Sequence, residues 1–207
     1  MSRKVHKTLR LRGYDYSKDN LYFITTCVRN RACCFGEIVR LTNQNCLRRA
    51  SPELSSQNDR QIMIVNEYGR IAEKQWYWLG RQYSHLIMHE FVIMPNHVHG
   101  IIEIRESLAG TGRFVGTGNF VGTGRDLSLH TGRISEMKIK PLMQIIGAYK
   151  TSVAKQIHLL GNLEFSWQRS FHDHIIKDKA EFLSISEYIL DNTSKWHEDV
   201  FYVRNTL

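Results

Sequence analysis

The stretch that most constrains the fold runs from residue 91 to residue 104, FVIMPNHVHGIIEI, an apolar run interrupted only at Met94-Pro95-Asn96. Proline followed by asparagine breaks regular structure, and the arms on either side are short and rich in β-branched residues. An antiparallel hairpin is therefore expected, with arms over residues 85–93 and 96–104. Side chains alternate along a strand, so His97 and His99 share one face while Val98 points to the other. Two imidazoles side by side can hold one metal ion. They can equally be half-buried strand histidines satisfied by their neighbours.

The remaining elements follow from periodicity. Residues 21–28 (LYFITTCV) read as the first strand. Residues 34–39 and 62–65 read as two short strands around a polar stretch that contains Pro52. Tyr68, Ile71, Ala72, Gln75 and Leu79 share the face of a helix expected over residues 67–79, with Gly80 as its stop. Trp76, Tyr77 and Trp78 are read as packing aromatics. Pro141 opens a helix whose stripe is Leu142, Ile145, Ile146, Tyr149, Val153, Ile157 and Leu160, closed by Gly161. Residues 166–176 read as the last strand, with His172 and His174 on one face. Asp178 caps a final helix over residues 179–192, which buries Phe182, Ile185 and Ile189. The order is strand, helix, strand, strand, helix, strand and an extra helix, with a small hairpin inserted after the first strand. That is an α+β, ferredoxin-like or RRM-like split βαβ layout with an antiparallel sheet, expected as a single domain over residues 1–207. Many unrelated functions use it.

Charge narrows the partners. The chain has 28 Lys and Arg against 20 Asp and Glu, a formal net charge of +8, which favours polyanions. Arg3, Lys4, Lys7, Arg10 and Arg12 precede the first acid, Asp15, in a basic arm over residues 1–19. Such an arm can follow a phosphate backbone or simply solubilise the chain. No apolar run approaches the roughly 18 residues of a membrane span, so no membrane partner and a cytoplasmic location are expected. Cys27, Cys33, Cys34 and Cys46 form no C-x-x-C pair and are read as reduced thiols. Two inserts interrupt the domain. One is polar, over residues 40–60; the other, over residues 106–135, carries a six-residue repeat beginning at Gly110, Gly116 and Gly122. The repeat lacks the strand-then-helix context of a nucleotide loop and is read as a loop insert.

On the final helix Glu181, Ser184, Tyr188, Asn192 and Lys195 form a polar face, and the spacing of four brings Tyr188 and Asn192 together. A tyrosine at such a position is more commonly a core or boundary residue. The motifs Met94-Pro95-Asn96-His97-Val98-His99-Gly100 and Tyr188-Ile189-Leu190-Asp191-Asn192, with residues 167–178 between them, resemble the REP-associated tyrosine transposases. These belong to the single-tyrosine HUH transposases of small insertion sequences. The likeness spans residues 22–196 apart from the two inserts. It implies an HUH endonuclease fold with a C-terminal catalytic helix. It further implies that Tyr188 is a nucleophile that forms a 5′-phosphotyrosine link and frees a 3′-hydroxyl. His97, His99 and Asn192 would hold Mg²⁺ or Mn²⁺, Asn192 standing where relatives often carry Gln. The implied partner is single-stranded or hairpin DNA, bound by a monomer or a homodimer. The DNA-contacting set would comprise the five basic residues of the arm, Lys150 and Lys155 off the apolar stripe, and His172 and His174. Thr193 departs from the family pattern, in which Pro often follows the helix Asn. Two other functions fit the same residues. One is a domesticated hairpin-binding protein without turnover; the other is a zinc hydrolase that uses His97, His99 and His172 or His174 and dispenses with Tyr188.

Overall fold

Strand β1 (Asn20–Cys27) lies inside the sheet and is buried along most of its length, as its run of aromatic and β-branched residues requires. It belongs to a computed structural model that describes residues 13–41, 60–106 and 139–202. The arm residues Arg3, Lys4, Lys7, Arg10 and Arg12, Cys46, nearly all of the polar insert and the glycine-rich repeat lie outside the described residues.

β1 pairs antiparallel with β5 (His97–Ile104) on one side and β6 (His172–Ile176) on the other, and β4 (Leu86–Ile93) completes the order β4-β5-β1-β6. This is the ferredoxin-like arrangement expected from the element order. The inserted hairpin forms a separate two-stranded sheet, β2 (Gly36–Leu41) with β3 (Arg60–Val65). Both faces of the main sheet are covered. Helices α1 (Glu67–Gln82) and α2 (Leu142–Leu159) pack on the face that carries Tyr22, Ile24, Val98 and Ile102. Helix α3 (Lys179–Asp191) packs on the other, where Ile189 meets Ile101 and Ile176.

The main core is aromatic. Trp76 and Tyr149 are fully buried and meet edge to face with ring centroids 5.4 Å apart, and the Tyr149 hydroxyl donates to the Ala72 carbonyl at 3.1 Å. The Trp76 indole lies against Gly100 of β5, where a Cβ would come within 2.3 Å of its Cζ2. A strand residue without a side chain is what lets the ring touch the sheet at this point.

Three boundaries differ from expectation. α1 runs through Gly80 to Gln82, because this glycine serves close packing: a Cβ there would sit 2.8 Å from Met88 Cγ of β4. β2 begins only at Gly36, whose φ of 141° bends the chain so that Phe35 turns into the core. The last strand is confined to His172–Ile176. Before it, Trp167 turns inward, forms a single bridge with Val28 and donates its indole N–H to the Lys150 carbonyl at 3.0 Å.

At the start of α3 the Asp178 side chain accepts from the Glu181 amide at 2.9 Å, and Glu181 accepts in turn from the Lys177 amide at 2.7 Å. Each carboxylate satisfies an amide that the helix leaves unpaired. Asp178→Ala is expected to cost about 1 kcal/mol of stability, read as a lower urea midpoint with unchanged slope. Among the described residues no helix is long and apolar enough to cross a membrane.

Candidate metal centre and tyrosine

The site is assembled on the α3 face of the sheet. Strand alternation brings His97 and His99 to that face with ring centroids 4.4 Å apart, both essentially inaccessible to solvent. The two rings are held through their δ nitrogens. Asn96 Nδ2 donates to the carbonyls of Arg31 (3.2 Å) and Phe201 (2.9 Å), which leaves its Oδ1 as the acceptor facing His97 Nδ1 at 2.8 Å. An acceptor there fixes the proton on Nδ1 and leaves the lone pair on Nε2. His99 Nδ1 meets Thr25 Oγ1 at 2.7 Å, a hydroxyl able to donate or accept, which holds the ring in place. Burial, then His99 and then Arg31, hold the His97 pKa well below the ordinary imidazole range; burial lowers that of His99 to about 3. Both rings are therefore neutral at pH 7 and able to bind a cation.

Helix α3 and the segment after it complete the site. Tyr188 reaches toward the strand, its hydroxyl 3.3 Å from His99 Nε2, while its ring stands edge-on to Phe23. Burial first, then the Asp199 charge, raise the Tyr188 pKa, and a hydrogen bond with Asn192 opposes them. Asn192 caps the helix in a helical conformation and is 2% exposed, so Thr193 in place of proline does not unwind this end. The chain then turns back over the imidazoles. It places Asp199 Oδ2 3.8 Å from His97 Nε2 and 4.0 Å from His99 Nε2, with the Phe201 ring 4.8 Å from that of His97.

Asp199 was not foreseen. It lies in irregular structure beyond the final helix, where no periodicity marks a residue as inward-facing.

The donor set fits a divalent cation. His97 Nε2, Asn192 Oδ1 and Asp199 Oδ2 are buried and have no hydrogen-bond partner. Leaving a buried polar atom unpaired costs roughly 1–3 kcal/mol each, and a cation would use the lone pairs of all three. The ligand atoms of His97, His99 and Asp199 lie within 4.8 Å of one another. Bonds of about 2.1 Å would require them to draw in by less than an ångström.

The other expected residues lie elsewhere. His172 is in register with Thr25, and Thr25 with His99, so His172 points to the site's face from two strands away. Two strand spacings are about 10 Å, too far to share an ion with His99. His174 pairs with Glu181 at 2.7 Å. The three-histidine zinc site considered above is therefore not formed; among the described residues the metal-competent group is His97, His99 and Asp199. Lys150 donates to the carbonyls of Gln168, Arg169 and Ser170, bracing the loop before β6. With Lys155 it lines an open cleft of about 630 Å³ along α2, on the other side of the sheet.

No protein-family model matches the chain. An uncharacterised protein of Haemophilus influenzae is 30% identical over 201 residues, 95% of this chain and 93% of that one. The chain belongs to the same family as this Haemophilus protein. Among solved structures, the chain is similar to two transposases. One is a REP-associated tyrosine transposase bound to a REP hairpin, with a TM-score of 0.48, 14% identity, and coverage of 90% of this chain and 73% of the other. The second is a Deinococcus radiodurans protein described as a candidate transposase, with a TM-score of 0.40, 13% identity, and coverage of 88% and 95%.

Proposed function

We propose that the chain is a metal-dependent nicking and joining enzyme for single-stranded DNA, a tyrosine transposase that acts on hairpins of the REP kind. The observation that carries this reading is the position of the Tyr188 hydroxyl, 3.3 Å from His99 Nε2 and close enough to Asn192 and Asp199 for both to influence its pKa. A phenol that served only packing would have no reason to turn its hydroxyl toward a neutral imidazole beside a buried carboxylate.

His97, His99 and Asp199 would hold the cation, with Asn192 as a further oxygen donor, and the mixture of imidazole, carboxylate and amide suits Mn²⁺ or Mg²⁺. Bound there, it would draw charge from a non-bridging phosphate oxygen. Tyr188 Oη attacks phosphorus, the bond from phosphorus to the 3′ oxygen breaks, and a 5′-phosphotyrosine remains on the protein. The phenol proton leaves to solvent and the departing 3′ oxygen takes one from it. The phenol pKa is raised, so the tyrosine enters the step protonated and must release its proton as it attacks. Attack by a second strand's 3′-hydroxyl on the phosphotyrosine reverses the step and joins DNA. A single strand bends into line with Tyr188 without melting a duplex. The arm over residues 1–19 would hold the hairpin through its phosphates in this one-domain protein.

The test mixes the protein with labelled single-stranded hairpins from the DNA flanking its gene, with Mn²⁺ or EDTA, on a denaturing gel. The expected result is a protein-linked band that requires Mn²⁺ and is absent in Tyr188→Phe, while Tyr188→Phe still shifts the hairpin on a native gel. A native shift with no covalent band under any metal would instead identify a hairpin-binding protein without turnover.

A further inference from the structure

The passage from β1 to β2 is strained. Asn30 and Arg31 are consecutive non-glycine residues in the left-handed region, with φ of 58° and 55°. Such strain persists only where surrounding contacts over-determine it. Here the contact is Asn96, whose amide group holds the Arg31 carbonyl with its nitrogen and His97 Nδ1 with its oxygen. One side chain thus fixes both the backbone of Arg31 and the orientation of a candidate metal ligand.

The result is a cation at the mouth of the site. Arg31 is exposed; its Nη1 donates to the Val200 carbonyl at 3.0 Å, and its guanidinium lies 5.3 Å from the centre of the Phe201 ring. That ring rests on His97 at 4.8 Å and approaches His99 at 6.1 Å. Arg31 is therefore separated from the imidazole pair by one aromatic ring. Among the described residues no carboxylate pairs with it, and a main-chain carbonyl and a ring face use little of a group with five N–H donors.

A phosphodiester within reach of Tyr188 Oη and of the imidazoles would occupy the region now covered by Val200 and Phe201, whose ring lies against both imidazoles, while Asp199 stays in place. Its charge needs a partner there. We propose that Arg31 seats a phosphodiester of single-stranded DNA over the imidazole pair, exchanging the Val200 carbonyl and the Phe201 ring for the phosphate. This inference rests on the DNA-cleaving reading of the same site. It adds a phosphate-binding residue that no motif identified. The planar fork of guanidinium matches two phosphate oxygens, and the strained turn keeps its backbone in place before DNA arrives.

The experiment measures binding without chemistry. In a Tyr188→Phe background with EDTA, anisotropy of fluorescein-labelled oligothymidylate is followed against salt concentration for Arg31, Arg31→Lys, Arg31→Gln and Arg31→Ala. Loss of one phosphate contact on a single strand should lower the slope of log K against log salt by about 0.7, and affinity roughly tenfold. Arg31→Gln and Arg31→Ala should both show this, whereas Arg31→Lys should keep the slope and lose part of the affinity. The glutamine variant retains the side chain's packing stem, so the reading does not depend on the alanine variant folding. If Arg31 only fastens residues 199–201, its removal will leave the slope unchanged and leave or raise the affinity, as Phe201→Ala would; that result overturns the proposal. The covalent assay is run in parallel. A wild-type adduct with an Arg31-independent slope rejects this inference alone, and an Arg31-dependent slope without any adduct rejects the nicking reading alone. Absence of any oligothymidylate binding rejects both.

Discussion

Acidification from pH 7 to pH 5 is expected to remove about 2 kcal/mol of folding stability through His99, with a further loss in the same direction through His97, in metal-free protein. Both histidines are neutral when folded and titrate near 6.5 when unfolded, with His97 held well below that value and His99 at about 3. Between the two values the unfolded chain binds protons that the folded chain refuses. The contribution is therefore complete above pH 6.5 and falls as pH drops toward the folded pKa, at up to about 1.4 kcal/mol per pH unit for each ring. Asp199 faces both rings and favours the imidazolium, whereas Arg31 disfavours it at His97; burial is the largest influence on each. Urea unfolding at several pH values checks this. His99→Gln should shrink the difference between pH 7 and pH 5 by about 2 kcal/mol, and an equal pH dependence in that variant would show that the ring is not buried in its neutral form.

The second large effect is expected from a single methyl group on the opposite face of the same strand. Gly100→Ala should cost about 3 kcal/mol, at the upper end of overpacking penalties. The new Cβ would meet Trp76 Cζ2 at 2.3 Å, Cη2 at 2.8 Å and Phe91 Cβ at 3.0 Å. The indole has nowhere to retreat, since it is fully buried, stacked on Phe91 and edge-on to Tyr149. Trp76→Phe removes the atoms that clash. The double variant should therefore be more stable than the sum of the single losses predicts, by more than about 1 kcal/mol, in a urea-unfolding cycle. Simple additivity would mean that the strand, not the ring, absorbs the methyl group.

These two positions show what could be read from residue order. Alternation in His97-Val98-His99-Gly100 is enough to send the imidazoles one way and leave Gly100 on the face of Val98 and Ile102. That Gly100 serves an aromatic on α1 is invisible without the fold, because Trp76 is far from it in sequence. The element order predicted the ferredoxin-like sheet, and the spacing of four put Tyr188 and Asn192 on one side of α3, while only the family resemblance pointed that side toward the imidazoles. Gly80 was misread for a physical reason: glycine as a helix stop and glycine as a point of close packing look alike in one sequence. Asp199 and Phe201 gave no signal, since residues in an irregular return segment acquire their direction only from what they pack against. Arg31 carries no signal in the sequence either, since its left-handed backbone is visible only in the fold.

The division of the site between β5 and the last described part of the chain bears on when activity could arise during synthesis. The nitrogen donors emerge with β5, but the nucleophile, Asn192 and Asp199 all follow residue 187. A ribosome-bound chain would carry the imidazole pair through some 89 residues of further synthesis, from His99 to Tyr188, with nothing able to attack a phosphate. DNA cleavage, on the proposed chemistry, would be withheld until α3 and the segment behind it have docked on a sheet that is already complete. A polypeptide interrupted before that point would be a harmless one.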